Sequence, residues 1–195
     1  MKKCKIFLAS SSELADDRRE FEICISRKNK DWINKGFFLE LVLWEDFLDC
    51  VSQTRLQDEY NKAIRECDIF VMLFFTKVGK YTEEEFETAF SSFKSIDKPF
   101  IFTYFKNAEI STANIDENIV SLLQFKKKLA SLGHFFTSYQ NIDELKYSFT
   151  GQLDKLALNS FLKFEPITEL KRSVTITQSH SGSGDNVGGN KTINQ

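Results

Sequence analysis

Three consecutive glutamates, Glu83, Glu84 and Glu85, are the residues of this chain best placed to do chemistry. They follow the apolar run 69–75 after a short polar loop and stand where a helix is predicted to begin. A run of that kind predicts a strand that is buried on both faces. Sheets built from such strands bind ligands beyond the carboxyl ends of the strands. A carboxylate there can act as an acid, a base or a nucleophile.

Glu85 is the member of the trio best placed to face a pocket. On a helix it shares the inward face with Phe86 and Ala89, which turns Glu83 and Glu84 more towards solvent. A structural role is the alternative, because Thr82 followed by Glu85 three residues later matches a capping box. Carboxylates are also favourable at the positive end of a helix. The pattern leaves both roles open.

Strand-like and helix-like periods alternate along the chain, which predicts a five-stranded, mostly parallel, doubly wound (flavodoxin-like) α/β sheet flanked by helices. The predicted strands are Cys4–Ala9, Phe37–Leu43, Ile69–Phe75, Phe100–Phe105 and His134–Thr137. The first two predicted helices run from Leu14 to about Lys35 and over Leu56–Cys67, and the third carries the three glutamates. The fourth begins at a cap at Asn114, and the fifth runs from a cap at Asn141 to about Leu162. Right-handed crossovers then bring the loops after the strands to one edge of the sheet.

The sequence around the glutamates resembles the TIR (Toll/interleukin-1 receptor) domain, particularly the bacterial TIR-like proteins. The segment 85–89 (Glu-Phe-Glu-Thr-Ala) matches enzymatic members, in which a glutamate is followed by an apolar residue and then alanine. The stretch 61–68, with the strand and helix start after it, is also similar to nucleoside 2-deoxyribosyltransferases. The resemblance covers about residues 4–160 in element order. The chain departs from the TIR pattern at 81–82, where a Trp-Cys pair is common, and at 9–12, where many members carry an aromatic-and-acidic loop.

Both resemblances imply cleavage of an N-glycosidic bond with the help of a glutamate, here Glu85. The TIR resemblance implies an NAD⁺ nucleosidase that hydrolyses or cyclises its substrate at the nicotinamide–ribosyl bond, is activated by assembly, and serves bacterial antiphage or innate immune signalling. Such cleavage passes through an oxocarbenium-like state. Because nicotinamide is a good leaving group, the reaction is expected to need no metal and no cofactor, with NAD⁺ as the substrate. Two alternatives stay open: a non-enzymatic TIR-type scaffold, and a deoxyribosyltransferase or hydrolase that acts on nucleosides.

Loops at the same edge supply the candidate substrate-binding residues. Serine hydroxyls after the first strand can hydrogen-bond a ribose or a phosphate, although they can equally cap the first helix. Aromatic rings after the second strand, where TIR domains carry a gating and assembly loop, can stack on a nicotinamide or adenine ring or cover the sheet edge. The candidates are Ser10, Ser11, Trp44, Asp46, Phe47 and Tyr81.

Composition and charge exclude several classes of function. A net charge of −2 and a pI near 5.8 argue against a nucleic-acid partner. Four cysteines without ligand spacing and only two histidines argue against a metal site and for a reducing compartment. No apolar stretch approaches the length of a membrane span, and no signal peptide follows Met1. A cytoplasmic protein without a membrane partner is expected.

Residues 164–195 differ in composition from the expected TIR-like α/β domain at 1–163. This segment is rich in Gly, Ser and Asn and cannot bury enough apolar surface to order by itself. Residues 174–177 (Val-Thr-Ile-Thr) nevertheless alternate like a strand. The segment is therefore either a flexible tail or a short β-element for oligomerisation or docking. The expected partners are NAD⁺ or a related nucleotide, other copies of the chain through TIR surfaces and this tail, and a signalling protein.

Overall fold

The computed structural model describes residues 1–47, 56–78, 82–107, 109 and 115–159. The strands in this part of the chain are β1 (Lys2–Ser10), β2 (Phe37–Val42), β3 (Ile69–Phe74), β4 (Phe100–Lys106) and β5 (Thr137–Tyr139). The helices are α1 (Ala15–Trp32), α2 (Leu56–Glu66), α3 (Thr82–Ile96), α4 (Glu117–Ser131) and α5 (Ile142–Leu158). Short 3-10 turns cover Ser12–Leu14, Ile33–Lys35 and Trp44–Asp46.

All the strand pairs in the sheet are parallel, and the strand order is β2-β1-β3-β4-β5. The chain therefore winds outwards in both directions from the β1–β3 pair, and the predicted doubly wound, flavodoxin-like arrangement is confirmed. Helices that follow parallel strands run back against them, so the first turns of α1, α2 and α3 lie at the carboxyl edge of the sheet. Ligands of such folds bind at this edge, where the strand order reverses.

The sheet buries both of its faces, as β3 illustrates. Its side chains alternate between a core under α1 and α5, which takes Ile69, Val71 and Leu73, and a core under α2, α3 and α4, which takes Phe70 and Phe74. Aromatic rings fill both layers. The rings of Phe21 and Phe149 lie 4.8 Å apart in the first core, and those of Phe74 and Phe105 stack at 4.9 Å in the second.

Several helix boundaries follow from local signals. The turn after α1 ends at Gly36 with a φ of 83°, a left-handed conformation that glycine adopts at little cost. Before α5, the Asn141 side chain accepts a hydrogen bond from the Glu144 amide at 3.1 Å. The Glu144 carboxylate accepts a hydrogen bond of 2.7 Å from the amide of Gln140, one residue before the cap, and the predicted cap at Asn141 is confirmed.

Two predicted boundaries are wrong. The last strand covers Thr137–Tyr139 and not His134–Thr137, because the His134 amide donates to the Leu129 carbonyl at the end of α4 and pairing with β4 begins only at Thr137. The cap of α4 is Asp116, whose side chain accepts a hydrogen bond from the backbone of the helix. The predicted cap, Asn114, lies outside the described residues.

The predicted tail, 164–195, and the end of the predicted domain also lie outside the described residues. Helix α5 is described to Leu158, short of the predicted end. Among the helices that the structure describes, none combines the length and the apolar character needed to cross a membrane.

Candidate functional site

The three glutamates of α3 have three different environments. Glu83 is exposed and pairs with Lys128 of α4 at 2.6 Å. Glu84 accepts a hydrogen bond of 2.8 Å from Asn61 of α2. Glu85 is partly buried beside the fully buried Phe86 and Ala89. The predicted separation of Glu85 from Glu83 is therefore observed, whereas Glu84 is drawn into a contact between helices.

Glu85 is a partly buried acid without a compensating charge in the described part of the chain. Burial raises the pKa of its carboxyl to about 7, and the negative charge of Glu84 adds to that rise. Neither a hydrogen bond nor an ion pair joins Glu85 to another described side chain. In particular, Glu85 is not bonded to Thr82, the residue with which it was predicted to form a capping box. A carboxyl with this pKa changes its charge near neutral pH, which is common among catalytic acids and bases.

The two candidate serines take part in side-chain contacts and do not cap α1. The Ser10 hydroxyl accepts a hydrogen bond of 2.7 Å from the guanidinium of Arg18. Arg18 is buried and forms an ion pair of 2.6 Å with Glu45, in the turn after β2. The Ser11 hydroxyl donates to Glu13 at 2.9 Å.

Residues after β2 also have structural contacts. The Asp46 carboxylate accepts a hydrogen bond of 2.7 Å from the Leu43 amide and so closes its own turn. The Phe47 ring packs 4.7 Å from the ring of Tyr60 and 6.4 Å from that of Phe7, with part of its surface exposed. Trp44 lies in the 3-10 turn, but its side chain and the whole of Tyr81 are outside what the structure describes.

The first turn of α1 joins the ends of several strands. Asp17 is buried, pairs with Lys106 of β4 at 2.9 Å and accepts a hydrogen bond of 2.7 Å from the Tyr139 hydroxyl of β5. These contacts, with those of Arg18, form a set that we call the α1 edge cluster. Its members are Ser10, Asp17, Arg18, Glu45, Lys106 and Tyr139.

Sequence reasoning missed Asp17 and Arg18, although a signal was present. Both residues fall at helical spacing before Phe21 and Ile25, on the face of α1 that is buried. Charged residues on an apolar helix face are almost always paired. Their positions therefore indicated partners, but the strand order was needed to name those partners.

A second set of polar residues joins α2 to α3 next to Glu85. Asn61 is buried and donates from Nδ2 to Glu84, while its Oδ1 accepts from the Thr88 hydroxyl at 3.2 Å and from Gln57 Nε2 at 3.4 Å. We call Gln57, Asn61, Glu84, Glu85 and Thr88 the α2–α3 cluster. Sequence reasoning placed 61–68 within a family resemblance but assigned no role to Gln57 or Asn61.

No metal site accompanies these clusters in the described residues, which contain no group of three or more His, Cys, Asp or Glu arranged to hold an ion. The thiols of Cys4 and Cys67 are buried, and burial raises the pKa of each to about 12, so they are poor nucleophiles near neutral pH. The described residues therefore place neither a metal-binding group nor a thiol of lowered pKa beside Glu85.

Comparison with known proteins leaves the family unassigned. No family model matches the chain, and no curated protein matches its sequence significantly. Among solved structures, it is similar to the RPS4 and RRS1 TIR domain heterodimer, with a TM-score of 0.48, 12% identity, and coverage of 82% of this chain and 99% of that one. It is also similar to RosB with the bound intermediate 8-demethyl-8-formylriboflavin-5'-phosphate, with a TM-score of 0.34, 10% identity and full coverage of both chains. Both similarities are too weak to assign a fold or a function, so the fold is assigned from the strand order alone.

Proposed function

We propose that this chain is a TIR-like NAD⁺ nucleosidase that hydrolyses or cyclises NAD⁺ at the nicotinamide–ribosyl bond, with Glu85 as the essential carboxylate. The observation that supports the proposal most directly is the environment of the Glu85 carboxyl. It is a partly buried acid at the start of α3, its pKa is raised to about 7, and no described cation neutralises it. An acid left in this state costs stability, which is a common feature of catalytic sites.

The reaction suits a single carboxylate. When the bond between the ribosyl C1′ and the pyridinium nitrogen breaks, the electron pair goes to the nitrogen, and nicotinamide leaves as a neutral molecule without needing a proton. The positive charge moves to the ribosyl ring, which becomes oxocarbenium-like. Water then attacks C1′ and loses its proton, or a nucleophilic atom of the same substrate attacks and closes a ring.

Glu85 would act in its ionised form. A carboxylate held away from water attracts the developing ribosyl cation more strongly than a solvated carboxylate would. The positive charge lies on the pyridinium ring in the ground state and moves to the ribosyl ring as the bond breaks, so a carboxylate nearer to the ribose than to the pyridinium stabilises the transition state more than the ground state. The same carboxylate can accept the proton of the attacking water in the hydrolytic route.

The wider biological role follows from the family resemblance. We propose a cytoplasmic protein of bacterial antiphage or immune signalling, active when copies assemble through their TIR-type surfaces. The 164–195 segment would help in assembly or in docking to a signalling partner. NAD⁺ would be the substrate, and no separate cofactor would be needed.

The test is NAD⁺ consumption by the full-length protein at high concentration, with separation of the products by chromatography. Glu85→Gln should reduce turnover at least about 100-fold, since glutamine keeps the shape but not the charge. Glu83→Gln is the matched control, because Glu83 belongs to the same helical turn but pairs with Lys128 at the surface. That variant should retain wild-type turnover.

Other outcomes separate the alternatives. Turnover of free nucleosides, with NAD⁺ left intact, would point to the deoxyribosyltransferase-like reaction. No turnover of either substrate, even in assembled protein, would leave the scaffold as the function. Equal activity of the Glu85→Gln and wild-type proteins would remove Glu85 from the mechanism.

A further inference from the structure

The hydrogen bonds of the α2–α3 cluster have a fixed direction. The Glu84 carboxylate can only accept, so Asn61 must present its amide Nδ2 to Glu84 at 2.8 Å. The Asn61 carbonyl oxygen then faces the other way and accepts from Thr88 and from Gln57. Because that oxygen needs a donor, Gln57 must in turn present its Nε2.

The chain of bonds therefore ends on the carbonyl oxygen of Gln57. The Gln57 side chain is only 4% exposed, and its Oε1 is buried without a hydrogen-bond donor among the described residues. A buried amide oxygen that accepts no hydrogen bond lowers the free energy of unfolding. Such atoms are rare in native proteins and often mark the place of a bound water, ion or ligand. The cluster lacks one donor, and the missing donor would sit at Gln57.

Gln57 lies towards the edge where substrate is proposed to bind. It is the second residue of α2 and precedes Asn61 by about one helical turn. Since α2 runs back from the carboxyl edge of the sheet, Gln57 is the member of the Gln57–Asn61 pair nearer to that edge. Asn61 bonds to Glu84, which directly precedes Glu85.

We propose that Gln57 Oε1 is a substrate-binding acceptor, which receives a hydrogen bond from a hydroxyl or amide N–H group of the nicotinamide riboside half of the substrate. Asn61, whose orientation is fixed by its bond to Glu84, positions the Gln57 amide so that its oxygen stays free for this bond. The inference rests on the proposed NAD⁺ nucleosidase function and adds a specificity residue to it. A site with a buried acceptor rejects substrates that lack the matching donor, because the acceptor would then stay unpaired.

The test compares NAD⁺ with analogues that each lack one donor. One analogue has the carboxamide of the nicotinamide replaced by a carboxylate, and two others lack the 2′- or the 3′-hydroxyl of the ribose next to nicotinamide. Wild-type protein should lose at least about tenfold in kcat/KM with the analogue that lacks the matching donor. The identity of that analogue tells whether the donor is the amide or a hydroxyl.

Gln57→Met keeps the length and unbranched shape of the side chain and removes the acceptor. This variant should turn over NAD⁺ and the affected analogue with similar kcat/KM values, so the discrimination disappears. Thr88→Val is the matched comparison, because it removes a different hydrogen bond to the same Asn61 oxygen. Thr88→Val should keep the discrimination of the wild-type protein, whatever it does to the absolute rate.

Equilibrium binding of NAD⁺ and the analogues to Glu85→Gln protein separates this inference from the catalytic proposal. Binding that discriminates through Gln57, in a wild-type protein that turns over no NAD⁺, would support the inference and reject the nucleosidase. Turnover of all the analogues at equal rates by the wild-type protein would overturn this inference but not the proposed function. The donor to Gln57 would then be a buried water molecule. Absence of both binding and turnover would overturn both, and the discrimination of the wild-type protein among the analogues is measured whether or not Gln57→Met folds.

Discussion

The two polar clusters at the carboxyl edge of the sheet differ in how well their charges are compensated. In the α1 edge cluster, Asp17 has a cation and a hydroxyl as partners, and Arg18 has Glu45 and Ser10. In the α2–α3 cluster, Glu85 has no described cation and Gln57 has a buried acceptor without a described donor. Natural folds satisfy buried polar groups almost everywhere, so the cluster that does not is the better candidate for binding a ligand.

The comparison also shows that a buried charge can have either of two roles. A buried carboxylate with its own cation and hydroxyl donor is a fixed connection between elements, and Asp17 connects α1 to β4 and β5 in this way. A buried carboxyl without such partners keeps a raised pKa, and its charge is available to a substrate. Ser10 belongs to the first kind of environment, and Glu85 belongs to the second.

Removing Asp17 should have the largest effect on stability. Asp17→Ala leaves the Tyr139 hydroxyl buried without its acceptor and Lys106 without its anion, so we expect the free energy of unfolding to fall by about 3 kcal/mol. Denaturant titration would measure the change. Asp17→Asn keeps an acceptor for Tyr139 and should cost less. If the two variants were equally stable, the charge of Asp17 and not its hydrogen bond would be the important feature.

Replacing Glu85 should have the opposite effect on the free energy of unfolding, which should rise at neutral and alkaline pH. The pKa of Glu85 is raised from 4.5 to about 7 in the folded protein. Below pH 4.5 both the folded and the unfolded states hold the proton, and stability is unaffected. Between pH 4.5 and 7 the unfolded chain loses its proton first, so wild-type stability falls as pH rises and stays reduced above pH 7.

Glu85→Gln should therefore stabilise the protein by about 2 kcal/mol at pH 8 and have little effect at pH 4. Urea titrations at the two pH values would measure both numbers. A helix cap predicts the reverse at pH 8, namely a small loss of stability or none. Stabilisation at pH 8 combined with loss of activity would mark Glu85 as a residue kept for function.

The pH profile of activity should follow the same carboxyl. If the ionised form is active, kcat/KM for NAD⁺ should rise about tenfold per pH unit below pH 7 and level off above it. Glu84→Gln should move the midpoint to lower pH, because the charge of Glu84 contributes to the raised pKa of Glu85. A profile that is flat between pH 5 and 8 would contradict the role of Glu85.

The smallest effect is expected at the surface of α3. Lys128→Met removes the ion pairs of Lys128 with Glu83 and Glu87, which are 2.6 and 2.7 Å long but solvent-exposed. Exposed pairs contribute about 0–1 kcal/mol, so the free energy of unfolding should change by no more than that. NAD⁺ turnover should be unchanged. A large loss of turnover would mean that the outer face of α3 also belongs to the site.

Much of the fold could be predicted from the sequence because its signals are local. Alternating strand and helix periods predicted five strands and a doubly wound sheet, and Gly36 and Asn141 marked helix ends correctly. The prediction failed at β5, which is short and at the sheet edge. There the His134 amide still closes α4 by donating to the Leu129 carbonyl, so the pairing with β4 begins three residues later than the local apolar pattern predicts.

The candidate site could be predicted only in part. The position of Glu85 at a strand-to-helix junction, beside inward-facing Phe86, follows from helical periodicity. Its raised pKa depends on how much of the carboxyl is buried, which no local pattern specifies. Ser10 was a candidate because of its place after a strand, but its partner, Arg18, is a side chain that the same pattern did not single out.

The amino-acid sequence by itself determined the alternation of elements, the edge at which their loops meet and the helix that carries the three glutamates. Short-range periodicity and capping encode these features, because they depend on residues within a few turns of one another. Only the tertiary structure decided which charges are compensated. Asp17 meets Tyr139 across 122 residues, and Asn61 meets Glu84 across 23, because strand order and helix packing bring them together. The same packing buries the Gln57 oxygen and part of Glu85, and it leaves both groups without a partner among the described side chains.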